Sequence, residues 1–410
     1  MAWADSVIWW HCYPLGFVDA EREEIDHVEH RLWRLANYLD YLVELGANGL
    51  LLAPVFASRT HGYDTLDHYR VDPRLGDEAD FADLVAKAGQ RGVRMLLDGV
   101  FNHVSAEHEI VRRALAGGPG SAAGAWIRWV GEYPRGFEGN LDLVELDLGH
   151  PPVQDYVVDV MNHWLDRGAD GWRLDAAYSA GPDAWRPIID RVRAAHPDAW
   201  ILAEVIHGDY VDFVERSCVD SVTEYELWKA TWSSLNDHNL HELAWTLSRH
   251  AQFASRFRPL NFIGNHDTTR IATKLTDPRQ LPLAHALLML LPGVPAIYAG
   301  DEQGFTGEKT DGPTGDDAVR PPFPEGPDRL AGFGRPVHDL DQHLIHLRRS
   351  HPWLAWAGLS VGTVTSEAIA INLDGGHERL TLALNAGDAP VDLAGARGPV
   401  HLEPHSWMLA

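Results

Sequence analysis

Cysteine is scarce in this chain: there are two among 410 residues, Cys12 and Cys218, and they lie far apart in the sequence. This pattern does not indicate a disulfide framework. Cationic side chains are also few, because 34 Lys and Arg against 59 Asp and Glu give a net charge of −25. The charge argues against nucleic acid or an anionic membrane surface as a partner, and it fits a soluble protein that acts on a neutral or cationic ligand.

Long apolar runs are missing as well. No stretch of the sequence has the length of a membrane span, so no membrane partner is expected. The first six residues lack the basic segment and the apolar run of a signal peptide. We therefore expect a cytoplasmic protein, and its length predicts a large core domain with a smaller one beside it.

The sequence contains short apolar runs that alternate with segments of helical periodicity. Apolar runs bounded in this way are typical of buried parallel strands, and helices are expected between them. The number of strands predicts an α/β protein built on a closed (β/α)₈ TIM barrel. The predicted strands lie at 7–13, 48–55, 93–97, 171–175, 200–205, 221–223, 260–263 and 295–298. The predicted helices lie at 27–45, 78–91, 151–167, 183–195, 225–254, 268–291 and 338–350.

Two segments depart from this alternation. Residues 104–150 are rich in Gly and Ala and then in aromatic loop residues, which predicts a short insertion after the third strand. After about residue 355, two strand-like runs flank an Asp-Gly-Gly turn, which indicates a small antiparallel β domain. The expected division is barrel 1–103, insertion 104–150, barrel 151–352 and C-terminal β domain 353–410.

The stretch 168–178 carries the first indication of chemistry. Side chains alternate along a strand, so Arg173 and Asp175 point the same way at its end. A neighbouring cation lowers the pKa of an acid, and an ionised, tethered carboxylate is what a nucleophile requires. From this stretch alone, a structural ion pair inside the barrel is an equal alternative.

Further polar side chains stand at the predicted strand ends. In a barrel the carboxyl ends of the strands converge on one face, where the active sites of such folds lie. Three acids on separate strands with cations and histidines between them are costly to bury, which favours a functional site. The residues at the ends of strands three, four, five and seven are Asp98, Asn102, His103, Arg173, Asp175, Glu204, His266 and Asp267.

The sequence resembles the α-amylase family of glycoside hydrolases. The segments 98–103, 171–175, 203–205 and 264–267, in this order, are similar to its four signature regions, and 61–64 with 71–76 is similar to the segment after its second strand. The resemblance implies that Asp175 is the nucleophile, Glu204 the general acid/base and Asp267 the stabiliser of the transition state. It also implies a set of sugar-binding residues: Tyr63, Asp98, His103, Arg173, His207 and His266.

This chemistry suits the residue types. Cleavage with retention needs two carboxyl groups roughly 5–5.5 Å apart, one as nucleophile and one as acid and then base. Asp175 would attack the anomeric carbon while Glu204, kept protonated by a less polar site, protonates the leaving oxygen. The reaction requires no metal and no other cofactor.

Departures from the family pattern bear on specificity. Endo-acting members carry a Lys-His pair, linked to calcium, where this chain has Tyr178 and Ser179, so a structural calcium ion is not expected although Asn102 is present. Residues 204–207 and 320–324 are similar to cyclomaltodextrin- and maltooligosaccharide-degrading members, although the extra N-terminal domain of those members is not expected here. The expected activity is cleavage of α-glucosidic bonds, of the α-1,4 type, in short maltooligosaccharides or cyclodextrins, and the short insertion is expected to leave less wall over the cleft.

Other functions stay open at this point. Within the family they are α-glucosyl transfer or isomerisation, and action on sucrose or on α-1,6 bonds. A non-catalytic amylase-like binding module is disfavoured because all three acids are present. A barrel enzyme that binds a divalent metal through these acids is disfavoured because Arg173 would neutralise one of them. The sequence leaves the oligomeric state undetermined.

Overall fold

The fold of the chain is known from a computed structural model that describes residues 3–312 and 314–410. Eight parallel strands form one sheet: β1 Trp9–Cys12, β2 Gly49–Leu52, β3 Arg94–Gly99, β4 Gly171–Leu174, β5 Trp200–Ala203, β6 Ser221–Val222, β7 Leu260–Phe262 and β8 Val294–Tyr298. Their order in the sheet is β6-β5-β4-β3-β2-β1-β8-β7. A parallel bridge between Thr223 and Leu260 joins β6 to β7, so the sheet closes on itself. The (β/α)₈ barrel is thereby confirmed.

Helices surround the barrel, and several are shorter or more divided than the periodicity predicts. The predicted helix 27–45 begins only at Trp33, because the amides of Glu29 and Arg31 donate to the carbonyls of Pro73 and Leu75 instead. The predicted helix 268–291 is divided around a segment that contains Pro278, whose ring lacks an N–H. The α-helices are Pro14–Phe17, Trp33–Ala36, Leu39–Leu45, Glu78–Gln90, Glu109–Gly117, Pro151–Leu165, Ala177–Ala180, Pro182–Ala195, Tyr210–Ser217, Tyr225–Asn236, Leu240–Ala254, Ile271–Lys274, Leu281–Leu290 and Arg335–Ser350.

The alternation of side chains along the strands separates two apolar layers. Inside the barrel, Trp9 stacks on Trp200 with ring centroids 5.6 Å apart. Outside, Trp172 of β4 packs against Phe56 in the layer between strands and helices. The inner apolar layer fills the part of the barrel near the amino ends of the strands, and the acids of the predicted site lie towards the carboxyl ends.

The segment after β3 forms a small sheet rather than loop alone. Its strands are His103–Ser105, Gly136–Phe137 and Asn140–Glu145, and the last of these pairs with both others. Phe137 pairs with Asn140, so Glu138 and Gly139 form a two-residue turn with φ of 50° and 84°. Positive φ at both positions is the requirement of a type I′ hairpin turn.

The C-terminal segment is antiparallel, as expected. Its strands are β9 Gly358–Val364, β10 Ala368–Asp374, β11 Arg379–Asn385, β12 Val391–Gly395, β13 Gly398–Leu402 and β14 Ser406–Leu409. They form a sheet in the order β9-β10-β11-β14 and a hairpin of β12 with β13. The domain boundaries drawn from the sequence stay predictions.

Candidate active site

The polar residues predicted at the strand ends meet at one face of the barrel. Asp98 lies in β3, Arg173 in β4, and Asp175 and Glu204 directly follow β4 and β5. These four side chains are buried, and Asp98 is fully so. Asp267 is only partly buried, and His207, predicted to bind sugar, is exposed at the rim, where its ring lies 5.9 Å from that of Tyr178.

One guanidinium group holds three carboxyl groups together. The Nη1 atom of Arg173 lies 2.6 Å from Oδ2 of Asp98 and 3.0 Å from Oδ1 of Asp175. Its Nη2 atom lies 2.6 Å from Oε1 of Glu204. The distance between the carboxyl groups of Asp175 and Glu204 is therefore at most two hydrogen bonds plus the width of a guanidinium group. This upper bound includes the roughly 5–5.5 Å that double displacement needs.

Glu204 is fixed from two further directions. The backbone amide of Ala176 donates to its Oε2 atom over 2.9 Å, and the hydroxyl of Tyr225 donates to Oε1 over 3.1 Å. Ala176 has φ of 44°, in the left-handed region that a non-glycine residue rarely adopts. The strained backbone after Asp175 thus aims an N–H group at the neighbouring carboxyl group.

Asp267 stands on the opposite side of the site. Its Oδ2 atom lies 2.9 Å from Nε2 of His266, and its Oδ1 atom accepts from Nη2 of Arg320 over 2.9 Å. The ring of Tyr63 stacks on that of His266 at 5.3 Å, and its hydroxyl contacts Nε2 of His266 and donates to Oδ2 of Asp98 over 3.1 Å. About a third of the Asp267 side chain is exposed, so it faces the mouth of the cleft.

Burial has the largest effect on the pKa values of Asp98, Asp175 and Glu204. It raises the pKa of Asp175 to about 6 and that of Asp98 to about 8, and Arg173 opposes both shifts only in part. The sequence argument that Arg173 leaves Asp175 with a lowered pKa was therefore wrong in its net direction, because desolvation exceeds the attraction. Burial also raises the pKa of Glu204, which favours the protonated form that a general acid needs.

Burial acts oppositely on the basic groups. It lowers the pKa of His103 to about 4 and that of His266 below its usual range, so both rings are neutral near pH 7. Burial alone raises the pKa of Asp267, but His266 and Arg320 outweigh it and hold that pKa well below the usual range. Asp267 is thus ionised near pH 7, in contrast to Asp98.

Several residues around the site were not singled out by sequence reasoning. The sequence pattern assigns no role to His11, yet its Nε2 atom lies 3.2 Å from Nδ1 of His266. Tyr225 begins a helix after β6 and carries no local signal of a role. Arg320 begins the segment 320–324 and has no predicted role of its own, although its guanidinium lies over the ring of Tyr13 at 4.5 Å and binds Asp267.

Within residues 3–312 and 314–410, one group of three His, Cys, Asp or Glu side chains has its ligand atoms close enough to hold a metal ion: His30, Asp77 and Asp80. It lies apart from the strand ends, and Asp77 and Asp80 already cap the helix Glu78–Gln90. In the same ranges, no helix combines the length and the apolar character that crossing a membrane requires.

A closed parallel barrel with acids gathered at the carboxyl ends of its strands defines the class of TIM-barrel proteins with a site at that face. Residues 11–142 and 136–343 match the catalytic domain of the alpha-amylase family, and the chain belongs to that family.

Named relatives agree with this assignment. The chain is 30% identical over 343 residues to a cyclomaltodextrinase of Geobacillus thermopakistaniensis (strain MAS1), which covers 74% of this chain and 57% of that relative. It spans little more than half the length of the curated relatives of this kind. Among solved structures, a cyclic alpha-maltosyl-(1→6)-maltose hydrolase from Arthrobacter globiformis matches with a TM-score of 0.86 and 26% identity, over 100% of this chain and 99% of that one. A debranching enzyme from Nostoc punctiforme matches with a TM-score of 0.84 and 25% identity, over 99% and 98%.

Proposed function

We propose that the protein is a retaining glycoside hydrolase that cleaves α-glucosidic bonds, of the α-1,4 type, in short maltooligosaccharides or cyclodextrins. The observation that carries this proposal is the pair of buried carboxyl groups, Asp175 and Glu204, on the two terminal nitrogens of Arg173. Family membership and the names of the relatives support the substrate class.

The roles follow from position and charge. Asp175 attacks the anomeric carbon and forms a glycosyl ester, while Glu204 gives its proton to the leaving oxygen. Water, deprotonated by Glu204, then cleaves the ester and restores both groups. Asp267, ionised and facing the mouth, stabilises the positive charge that develops on the sugar.

The remaining residues hold the sugar in place. Tyr63, held against His266, offers an aromatic face, and sugars stack on such faces. Asp98, Arg173, His103 and His266 surround the same space and offer hydrogen bonds to hydroxyl groups, with His207 at the rim. We further propose that the reaction needs neither metal nor other cofactor, and that the protein works in the cytoplasm on a soluble oligosaccharide without nucleic-acid or membrane partners.

The stereochemistry of the products tests this function. The protein is mixed with maltotriose or a cyclodextrin, and proton NMR follows the new anomeric signal in the first minutes. Retention predicts that the α-anomer appears first and mutarotates afterwards. A first product of the β-anomer contradicts double displacement, and no cleavage of any α-glucan contradicts the substrate class.

A second candidate substrate is a cyclic glucan that contains α-1,6 bonds. The observation in its favour is the match, over nearly the whole of both chains, with the cyclic alpha-maltosyl-(1→6)-maltose hydrolase. Product profiles on maltotriose, cyclodextrin, pullulan, isomaltose and sucrose separate these specificities and reveal transfer products if another sugar replaces water.

A further inference from the structure

The hairpin of the insertion, which follows β3, touches the short helix Ala177–Ala180, which follows Asp175 and the neighbouring strand β4. The hydroxyl of Tyr178, three residues after Asp175, donates to Oε1 of Glu138 over 2.6 Å. Glu138 stands in the type I′ turn of the hairpin, 40 residues earlier in the chain. The short insertion, expected to leave less wall over the cleft, therefore does contact the segment that follows the neighbouring strand β4.

A second contact fixes the hairpin beside the nucleophile. Phe137, which precedes Glu138, stacks on the ring of His103 with centroids 4.5 Å apart and planes 12° from parallel. His103 in turn has Nε2 3.9 Å from Oδ2 of Asp175. The turn thus lies beside the nucleophile, and Glu138 is close enough for its charge to raise the pKa of Asp175 slightly.

Tyr178 belongs to the side of the cleft where the leaving group departs. Its backbone amide donates to the carbonyl of Glu204 over 3.3 Å, and its ring lies 5.9 Å from that of His207. Since Glu204 is the proposed proton donor to the leaving oxygen, a group attached to its backbone stands next to the sugar units beyond the scissile bond.

We infer that Tyr178 and Glu138 form a strap across the leaving-group side of the cleft and that this strap determines specificity. A polymeric α-glucan continues for many units beyond the scissile bond and collides with the strap, whereas a short oligosaccharide ends before it. The inference rests on the proposed function and deepens it, because it makes short α-glucans, rather than starch, the substrate class. Both residues act by shaping the cleft and take no part in bond cleavage.

The test compares variants that break the strap with variants that keep it. Tyr178→Phe keeps the ring and removes the hydroxyl, and Glu138→Ala removes the acceptor. Glu138→Gln retains an amide oxygen that accepts the same hydrogen bond. Glu132→Ala is the matched control, since Glu132 is another exposed acid of the insertion and its removal changes the charge equally.

The measurement is kcat/KM on soluble amylose divided by kcat/KM on maltotriose. Tyr178→Phe and Glu138→Ala are each expected to raise this ratio by roughly five- to tenfold, which corresponds to the net contribution of one typical hydrogen bond. The double variant should equal either single variant, because both remove one contact. Glu138→Gln and Glu132→Ala should leave the ratio at the wild-type value.

A second readout needs no substrate. Hydrogen–deuterium exchange of the segment 134–142 should accelerate in Tyr178→Phe and Glu138→Ala and stay unchanged in Glu132→Ala. An unchanged ratio in variants that still cleave maltotriose, or additive effects of the two substitutions, overturns the strap while leaving the proposed function intact. Failure of the wild-type protein to cleave maltotriose or amylose overturns the proposed function and, with it, the inferred role of the strap.

Discussion

Two of the clusters of buried charge in this barrel can be compared, and only one of the two has the arrangement of an active site. The first gathers Asp98, Asp175 and Glu204 around Arg173 at the carboxyl ends of β3 to β5. The second lies beside β8, where Arg270 pairs with Asp301 at 2.8 Å and His285 with Asp341 at 2.7 Å.

The clusters differ in how many acids share one cation and in how exposed their side chains are to solvent. In the second cluster each of these acids has a single cationic partner, and all four side chains are at most 1% exposed. In the first, one guanidinium serves three acids, and the neighbouring Asp267 side chain is 33% exposed. Burial of charge is therefore no sign of catalysis in itself. Acids that share one cation at a cleft do indicate a catalytic site, because their protons can be redistributed during a reaction.

The largest expected effect is the loss of the nucleophile. Asp175→Asn should lower kcat on maltotriose by roughly 10⁴-fold, because an amide cannot form the glycosyl ester. The fold should persist, since the change is almost isosteric. Steady-state kinetics and circular dichroism check both statements.

The second cluster supplies the matched control for that substitution. Asp301→Asn makes the same isosteric change beside Arg270, and we expect its cost to appear in the melting temperature, with kcat within a few-fold of wild type. Activity of Asp175→Asn within tenfold of wild type would refute the assignment of the nucleophile.

The next effect concerns the proton donor. Glu204→Gln should lower kcat/KM on maltotriose by roughly 10²- to 10⁴-fold, the usual contribution of general acid catalysis. The loss should be far smaller on α-glucosyl fluoride, whose leaving group needs no proton. Equal losses on both substrates would mean that Glu204 has a structural role, as the acids beside β8 have.

Substitutions in the second cluster should lower the stability of the fold instead of the activity. Asp341→Ala leaves His285 buried without its partner, and removal of one member of a buried ion pair costs roughly 3–5 kcal/mol. We expect a clearly lower melting temperature in differential scanning calorimetry. Asp339→Ala, on the same helix and in an exposed pair with Arg335, should leave the melting temperature nearly unchanged. A small effect of Asp341→Ala would remove the contrast in stability between the buried and the exposed pair.

A pH profile sharpens the comparison further. The carboxyl of Asp175 must be ionised to attack, and burial raises its pKa to about 6. The kcat/KM value on maltotriose should therefore rise with pH through about 6, losing most of its value below pH 5. A loss of kcat/KM only near pH 4 would mean that Arg173 lowers the pKa of Asp175 by as much as burial raises it.

Much of this organisation can be predicted from the sequence, and the part that cannot has a physical reason. The strands are apolar runs, and Asp98, Asp175 and Glu204 stand at or next to their ends, so the pattern indicates both the barrel and its acids. The net pKa shift of Asp175 depends on desolvation by the whole barrel, which no local pattern encodes. The contact of Glu138 with Tyr178 depends on the course of the insertion, and Gly- and Ala-rich sequence does not specify that course.

The smallest expected effect is that of a chelator. Ions that bind only the folded state stabilise it by mass action, so their removal lowers the melting temperature. Tyr178 uses its hydroxyl to bind Glu138 and offers no ligand to a cation, and Ser179 stands where endo-acting relatives are expected to carry a calcium-linked histidine. We therefore expect EDTA to change neither the melting temperature nor kcat on maltotriose, with added CaCl₂ as the matched control.

This expectation also bears on substrate length, because the same two positions shape the leaving-group side. Maltotriose should be cleaved at least as efficiently as soluble starch, with products released from short chains rather than by random internal cuts. A fall of many degrees in EDTA, restored by calcium, would show that the barrel mouth holds an ion despite Tyr178 and Ser179. Rapid random cleavage of starch by the wild-type protein would show that the cleft is open where the strap lies.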